Sequence, residues 1–110
     1  MHFGDFLFIG FEETRMTPAL EKLLRRVKPA GIILFRRNFS TPEGTRRLVE
    51  AAARALGYYP LVAADEEGGT VSRLRALGFD FPSAHALAQT KRPALAERQA
   101  RLIGRALRAI

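Results

Sequence analysis

The sequence predicts an α/β fold in which parallel strands alternate with helices. Three short apolar runs begin roughly 25 to 30 residues apart, which is the spacing of repeated βα units. Between the runs, helix-start signals are followed by apolar residues at intervals of three and four. The apolar runs are continuous rather than alternating, as is typical of parallel strands that are covered on both faces.

The strands are predicted at residues 6–9 (FLFI), 31–35 (GIILF) and 61–64 (LVAA). Each run is followed by polar or glycine-containing sequence, which indicates a loop. Strands that are joined through helices run parallel, since the helix carries the chain back to the edge where the first strand began. The order strand, helix, strand, helix, strand therefore predicts a three-stranded parallel sheet.

The first helix is predicted to begin at Pro18, with Thr17 as its N-cap. A threonine hydroxyl satisfies a free amide at a helix start, and proline is tolerated in the first helical turn. Four apolar residues then fall on one face of the helix: Leu20, Leu23, Leu24 and Val27.

The second helix begins in the sequence STPE. Ser40 and Glu43 have the spacing of a capping box, whereas Thr41 followed by Pro42 is an alternative start. Gly57 is expected to end this helix. Its apolar stripe comprises Leu48, Val49, Ala52, Ala53 and Leu56.

A third helix is predicted to begin near Pro93. Its apolar side comprises Leu95, Leu102, Ile103, Ala106 and Ile110. The stretch before it, residues 65–90, shows no helical or strand period. Loops of this length within a compact domain are usually functional or contain an unrecognised element.

Composition indicates one globular unit and excludes several kinds of site. The 110 residues are 47% hydrophobic and 26% charged, and none is cysteine, so disulfides, thiolate zinc sites and cysteine nucleophiles are excluded. No His, Asp and Glu set has metal-ligand spacing and no phosphate-binding glycine loop is present, so neither a metal nor a cofactor is expected. The amino terminus, MHFGDFLFIGFEE, has no basic leader or membrane-length apolar run. We expect no membrane association and a cytoplasmic location.

The basic charge leaves a nucleic-acid-binding module open as an alternative. The net charge is +7, and 15 of the 18 cationic residues are arginine. The arginines are spread over helices and loops without interleaved aromatic residues, a pattern that favours solvated helix faces over a nucleic-acid surface. We therefore expect no nucleic-acid partner.

Polar residues follow each predicted strand, where ligands of parallel α/β folds are bound. The densest group is Asp65, Glu66 and Glu67, which precede Gly68 and Gly69. Asp65 is either a ligand-binding carboxylate or a turn cap. Glu66 is expected to be solvated, and Glu67 is either a general acid beside Asp65 or, as we prefer, a structural loop residue. The other two strands are followed by Gly10, Phe11 and Glu12 and by Arg36, Arg37 and Asn38.

Residues 4–43 and 62–75 resemble the start of bacterial β-N-acetylhexosaminidases of glycoside hydrolase family 3, of the peptidoglycan-recycling type. The strongest matches are IGF, GIILFRRN, STPE and DEEGGTVSRLR. The family pattern in the last of these is Asp, any residue, Glu-Gly-Gly-Arg-Val, any residue, Arg. Thr70 stands where the family has its first arginine.

The resemblance implies a carbohydrate substrate that contains N-acetylglucosamine, either a muropeptide or a chitooligosaccharide. It assigns substrate binding to Asp65 and Arg73. A carboxylate can accept hydrogen bonds from two neighbouring sugar hydroxyls, and such charge-assisted bonds are strong. The family's aspartate nucleophile and its histidine–aspartate acid/base lie on later loops, so no catalytic residue is expected in this chain. A β-glucosidase of the same family is the near alternative.

The resemblance also implies the first three βα units of a truncated (β/α)8 barrel of the TIM type. A complete barrel needs eight strands and about 250 residues. The sequence stops at LIGRALRAI, within an amphipathic pattern and without a helix stop signal. We therefore expect residues 1–110 to be the N-terminal part of an incomplete domain, with the remainder of the barrel C-terminal to Ile110.

Overall fold

The computed structural model describes all residues from Met1 to Ile110 and contains one parallel sheet with four helices. The strands are β1 (Phe8–Ile9), β2 (Gly31–Leu34) and β3 (Leu61–Ala64), and the helices are α1 (Pro18–Val27), α2 (Pro42–Leu56), α3 (Ala84–Gln89) and α4 (Pro93–Ala109). The sheet order is β1-β2-β3, and both strand pairs are parallel. The predicted α/β class and strand direction are confirmed.

The first strand is shorter than predicted, because the chain before it forms a turn of 3-10 helix at Phe3–Phe6. The backbone amide of His2 donates to the Asp5 carboxylate at 2.7 Å, and the His2 imidazole accepts from the amide of Gly4 at 3.1 Å. These reciprocal bonds close a turn that withdraws Phe6 from the strand. The apolar run alone carried no sign of this local cap.

The second strand ends one residue early, and α2 begins at the alternative N-cap. Phe35, which was predicted to be in the strand, precedes a short 3-10 turn at Arg36–Asn38. At the start of α2, the Thr41 hydroxyl accepts from the amide of Gly44 at 2.9 Å, so Thr41 and not Ser40 is the N-cap. The proline at the next position fits the first helical turn.

The predicted starts of α1 and α4 are confirmed, whereas α3 was missed. The Thr17 hydroxyl accepts from the amide of Leu20 at 3.1 Å, and Pro93 is the first residue of α4. Within the stretch predicted to be a loop, Ser83 caps the six-residue α3, in which no residue is buried. A helix without a buried stripe produces no apolar period, which is why the sequence pattern did not reveal it.

The core lies between α1 and α2 on one side and one face of β2 on the other. Side chains two residues apart on a strand share a face, and Ile32 and Leu34 are both almost fully buried. They belong to a cluster that contains Leu20 and Leu24 from α1 and Leu48 from α2. Complete burial of each such side chain stabilises the fold by about 1.5 to 3 kcal/mol.

The opposite face of the sheet is open. Phe8, Gly31 and Leu61 are register neighbours, so they share this face. Phe8 is 48% exposed and Leu61 is 65% exposed. The prediction that continuous apolar runs are covered on both faces is therefore wrong for β1 and β3, which carry exposed apolar side chains, whereas the residues of the central strand β2 are buried or half-buried.

Candidate functional site

The candidate site is the carboxyl edge of the sheet, where three loops meet. Because the strands are parallel, the segments that follow Ile9, Leu34 and Ala64 leave the sheet at the same edge. The predicted polar residues follow these three positions directly. The topology therefore brings together the three groups of residues that the sequence places at strand ends.

Asn38 connects the loop after β2 to the loop after β1. Its side chain is fully buried. Its Nδ2 donates to the carbonyl oxygens of Phe11 at 3.0 Å and Glu13 at 2.8 Å, while its Oδ1 accepts from the amide of Phe35 at 2.8 Å. These contacts make Asn38 a stabiliser of the two loops.

Asp65 lies directly after β3, with its carboxylate half-exposed at the mouth of the loops. Its Oδ2 is 3.7 Å from Nη2 of Arg73, and the two side chains are 49% and 21% exposed. At this distance the two groups form an ion pair but no hydrogen bond. Asp65 accepts no hydrogen bond from the chain, so the structure gives no support to the alternative that it caps a turn.

Glu66 is not solvated, contrary to the sequence-based prediction. One oxygen of its half-buried carboxylate accepts from the backbone amides of Arg73 and Leu74, each at 2.8 Å, and the other accepts from Gly68 at 3.3 Å. The carboxylate therefore joins the start of the loop to the residues that follow it. A carboxylate ahead of two glycines and a tight turn was the available signal, because such turns leave backbone amides without partners.

Glu67 has an exposed carboxylate that makes no ion pair or hydrogen bond. Its backbone amide donates to the carbonyl of Val71 at 3.0 Å, next to an isolated bridge between Gly68 and Val71. The preferred structural role of this position is therefore carried by its backbone. Nothing in its surroundings supports the alternative of a general acid.

The two glycines after the acidic cluster adopt a left-handed backbone. Gly68 has φ of 74° and Gly69 has φ of 59°. A Cβ atom on Gly68 would lie 2.2 Å from the carbonyl oxygen of Pro82, and the amide of Gly69 donates to Phe81 at 2.8 Å. Glycine is thus required here both by the backbone conformation and by the close approach of the segment before α3.

Thr70, the position that departs from the family pattern, is exposed and its hydroxyl makes no hydrogen bond. The loop is instead supported by Arg75. Its Nη2 donates to the carbonyl of Gly69 at 2.7 Å and to the carboxylate of Asp80, also at 2.7 Å. Arg75 therefore links the glycine turn to the segment that approaches it.

The aromatic ring of Phe35 packs against two guanidinium groups. The Arg37 guanidinium lies 5.0 Å from the centroid of the Phe35 ring, and that of Arg73 lies 5.9 Å from it. Arg37 also pairs with Glu12 at 3.0 Å. Arg73 therefore lies within interaction distance of both the Phe35 ring and the carboxylate of Asp65.

The structure contains no set of side chains suited to a metal ion. No group of three or more His, Asp or Glu side chains is close enough to hold a metal ion. His85 is exposed and contacts Gln89 of the same helix at 2.9 Å. No helix combines the length and apolarity that a membrane span requires.

Comparison with known proteins accounts for nearly the whole chain. The sequence model described as "Glycosyl hydrolase family 3 N terminal domain" matches residues 3–110. The chain belongs to glycosyl hydrolase family 3. The resemblance on which the sequence analysis relied is thereby confirmed.

Curated members of family 3 that resemble the chain are named Beta-hexosaminidase. The protein from Stenotrophomonas maltophilia strain K279a is 36% identical over 110 residues, which cover 94% of this chain and 32% of that protein. The protein from Alkalilimnicola ehrlichii is 44% identical over 70 residues, which cover 63% of this chain and 20% of that protein. The chain thus spans at most about a third of the length of these relatives.

Solved structures of family 3 show the same arrangement of strands and helices. A β-N-acetylglucosaminidase from Paenibacillus sp. str. FPU-7 superposes with a TM-score of 0.87 at 31% identity, covering 96% of this chain and 21% of that chain. NagZ from Neisseria gonorrhoeae, solved with N-trifluoroacetyl-D-glucosamine, gives a TM-score of 0.56 at 30% identity and covers 63% of this chain and 21% of that chain. The mixed α/β fold is therefore similar to that of the N-terminal region of family 3 enzymes.

Proposed function

We propose that residues 1–110 form the first three βα units of a (β/α)8 barrel in a β-N-acetylhexosaminidase. The strand order β1-β2-β3 is that of consecutive barrel strands. The open apolar face, which includes Phe8 and Leu61, suits the interior of a barrel that further strands close. The relatives are three to five times longer than the matched segment, so the remaining strands are assigned to sequence C-terminal to Ile110.

The proposed reaction of the whole protein is hydrolysis of terminal β-linked N-acetylglucosamine from cell-wall fragments. Support comes from the relatives named Beta-hexosaminidase and from the NagZ structure that holds N-trifluoroacetyl-D-glucosamine. Muropeptides and chitooligosaccharides are the proposed substrates. The proposed location is the cytoplasm, whose reducing environment is compatible with a chain that contains no cysteine.

The observation that carries the proposal is the placement of Asp65. Its carboxylate lies at the carboxyl end of β3, is half-exposed and accepts no hydrogen bond from another group of the protein. It can therefore accept from two adjacent sugar hydroxyls without breaking an existing contact. Arg73 lies within ion-pair distance and is held by the Phe35 ring, so it can orient the carboxylate and donate to the same sugar.

The catalytic groups are assigned to the part of the barrel outside residues 1–110. A retaining glycosidase needs a carboxylate nucleophile and an acid/base about 5 Å apart, on the two sides of the scissile bond. In the acidic cluster after β3, Glu66 accepts from backbone amides and Asp65 faces Arg73, so only Glu67 has a carboxylate without a partner. The proposed contribution of this segment is therefore substrate binding.

The test is the Asp65→Asn variant of the full-length protein, assayed for release of a chromogenic leaving group from a β-N-acetylglucosaminide. Asparagine keeps the shape but replaces one acceptor oxygen with a donor. Hydrogen bonds to a charged group contribute roughly 1.5 to 3 kcal/mol each. Their effects overlap, so we expect kcat/KM to fall about 30- to 1,000-fold.

The matched control is Glu67→Gln, which makes the same chemical change two residues away on a side chain without contacts. It should retain kcat/KM. A marked fall in Tm for Asp65→Asn, with kcat/KM per folded molecule unchanged, would show that Asp65 is a structural cap. Faster turnover of a β-glucoside than of the N-acetylglucosaminide by the unmodified protein would favour the β-glucosidase alternative.

A further inference from the structure

The guanidinium of Arg73 is not fixed by any hydrogen bond within the chain. Its Nε is buried without a hydrogen-bond partner, and its Nη2 lies 3.7 Å from the carboxylate of Asp65, beyond hydrogen-bond distance. The other group that attracts it is the Phe35 ring, whose centroid is 5.9 Å from the guanidinium carbon. That separation is just inside the range of about 6 Å over which the face of an aromatic ring attracts a cation.

Arg37 packs against the same ring, but its position does not depend on the ring. Its guanidinium lies 5.0 Å from the ring centroid. Its Nε also donates to the carbonyl of Phe11 at 3.2 Å and lies 3.0 Å from the carboxylate of Glu12. Arg37 is therefore bound to the loop after β1, whereas Arg73 has only the ring and one long ion pair to order its guanidinium.

The Phe35 side chain is itself well supported. The amide of Phe35 donates to Oδ1 of Asn38 at 2.8 Å, so the backbone at the base of the ring is fixed. The edge of the half-buried ring packs over Gly10, where a Cβ atom would lie 3.0 Å from Cε2 and 3.5 Å from Cδ2 of the ring. The absence of a side chain at Gly10 leaves the space that the ring occupies, and the ring is a defined surface for a guanidinium to rest on.

Such a support affects binding without any contact to the ligand. An arginine side chain loses rotamer freedom when its guanidinium is immobilised, and a neighbour that orders it beforehand reduces this loss. Under the proposed function, Arg73 donates to the sugar and orients Asp65. A ring that keeps the guanidinium close to Asp65 before the sugar arrives therefore increases the affinity for the sugar.

We propose that Phe35 is a positioning residue for substrate binding, and that it acts through Arg73 by means of the electron-rich face of its ring. The inference rests on the proposed sugar-hydrolase function, in which Arg73 contacts the sugar. Because that contact is made to the bound substrate and to the transition state alike, loss of the ring raises KM and leaves kcat unchanged. A role in packing alone would change the stability of the fold without this separation of KM from kcat.

The experiment measures kcat and KM per folded molecule of the full-length protein on the chromogenic β-N-acetylglucosaminide. Phe35→Leu removes the ring but keeps an apolar side chain, and it should raise KM about 3- to 5-fold, as expected for a partly exposed cation–π contact. Phe35→Tyr keeps an electron-rich ring and should keep KM within about twofold of the unmodified protein. Replacement of Phe35 by pentafluorophenylalanine nearly keeps the shape of the ring but removes the negative charge of its face, so it should raise KM as Phe35→Leu does.

Two controls test whether the effect is local and whether it passes through Arg73. Phe79→Leu makes the same change on an exposed ring that stacks on Phe81, with 6.5 Å between the ring centroids, rather than on a guanidinium. It should leave KM unchanged. In the background of Arg73→Ala, Phe35→Leu should no longer raise KM, because the side chain that the ring positions is absent and the two effects are then not additive.

An unchanged KM in Phe35→Leu overturns the proposal. A fluorinated variant with the KM of the unmodified protein also overturns it, because the shape of the ring and not its charge distribution would then matter, and this variant alone decides if Phe35→Leu does not fold. Equal effects of Phe35→Leu with and without Arg73 overturn it as well. Absence of turnover by the unmodified protein, or an Arg73→Ala variant with unchanged KM, contradicts the proposed function instead, and the inference falls with it.

Discussion

The Glu66→Ala substitution is the most direct test of how the loop after β3 is held. In the structure, one carboxylate oxygen accepts from the amides of Arg73 and Leu74 at 2.8 Å, and the other accepts from Gly68 at 3.3 Å. Two short bonds and one long bond to a charged acceptor contribute roughly 1.5 to 3 kcal/mol each before overlap. Because the carboxylate is half-buried and water can reach the vacated amides, we expect a total loss of about 2 to 4 kcal/mol.

Glu66→Gln should be milder, since both short bonds converge on the same oxygen. The glutamine carbonyl can take the position of that oxygen and keep the bonds to Arg73 and Leu74. Its amino group would then face the amide of Gly68, donor against donor, and the charge is lost. We expect about 1 to 2 kcal/mol.

The assay is thermal unfolding of the full-length protein, with kcat/KM measured in parallel on the chromogenic N-acetylglucosaminide. Glu66→Ala should lower Tm by about 5 °C or more and raise KM, because Arg73 loses the contact that holds its backbone. Glu67→Ala is the matched control and should stay within about 0.5 kcal/mol of the unmodified protein. A Glu66→Ala variant with unchanged Tm and KM would refute the reasoning, as would an equal effect of Glu67→Ala.

Three further predictions concern the same loops and the isolated segment. Gly68→Ala should lower Tm by several degrees, because the residue has φ of 74° and the new Cβ would meet the Pro82 carbonyl; an unchanged melting curve would contradict this. Asn38→Leu should cost about 3 kcal/mol, since it removes the donor to the Glu13 carbonyl, one of two donors to the Phe11 carbonyl, and the acceptor of the Phe35 amide; denaturant unfolding measures it, and a loss below about 1 kcal/mol would show that water replaces the side chain. Residues 1–110 alone should release no chromogenic leaving group and should self-associate in sedimentation experiments through the open face that includes Phe8 and Leu61. Turnover that Asp65→Ala abolishes, or a clean monomer with a sharp melt, would contradict the last prediction.

The fold class could be predicted because its signals are local and repeated. Thr17 with Pro18 marks a helix start through two independent effects, a hydroxyl acceptor and a fixed φ, and the structure places α1 there. The strand at Gly31–Leu34 was predicted to within one residue, because a short apolar run that begins with a glycine and is followed by two arginines is typical of a buried strand. Long helices and strands that show a regular apolar periodicity and capping residues can be predicted in this way.

The elements that were predicted wrongly depend on contacts that neither the apolar periodicity nor the residue propensities reveal. The turn at Phe3–Phe6 is closed by side chains of His2 and Asp5, and an apolar sequence over the same residues hid it. The helix α3 was missed because it buries nothing. In both cases the deciding interaction is polar and short-range, whereas apolar runs and periods in the sequence report only hydrophobic contacts.

The position of the candidate site could be predicted from the sequence, but the roles of its individual residues could not all be predicted. Strand-end position selected Asp65, and its half-exposed carboxylate stands there. Glu66 was predicted to be solvated, because the sequence shows each acidic residue without its partners in the folded loop. Three backbone amides that a glycine turn leaves unpaired become visible only once the turn itself is known.

The different surroundings of Asp65 and Glu66 give a physical reason for a dense acidic cluster in a chain of net charge +7. Consecutive residues that leave a strand direct their side chains to opposite sides. One carboxylate can therefore turn inward to hold backbone amides while its neighbour stays at the mouth with its oxygens unbonded. Because Glu66 holds the loop, Asp65 under the proposed function would not have to exchange a hydrogen bond within the chain for one to the sugar. A site supported in this way loses less order on binding than one in which a single carboxylate serves both purposes.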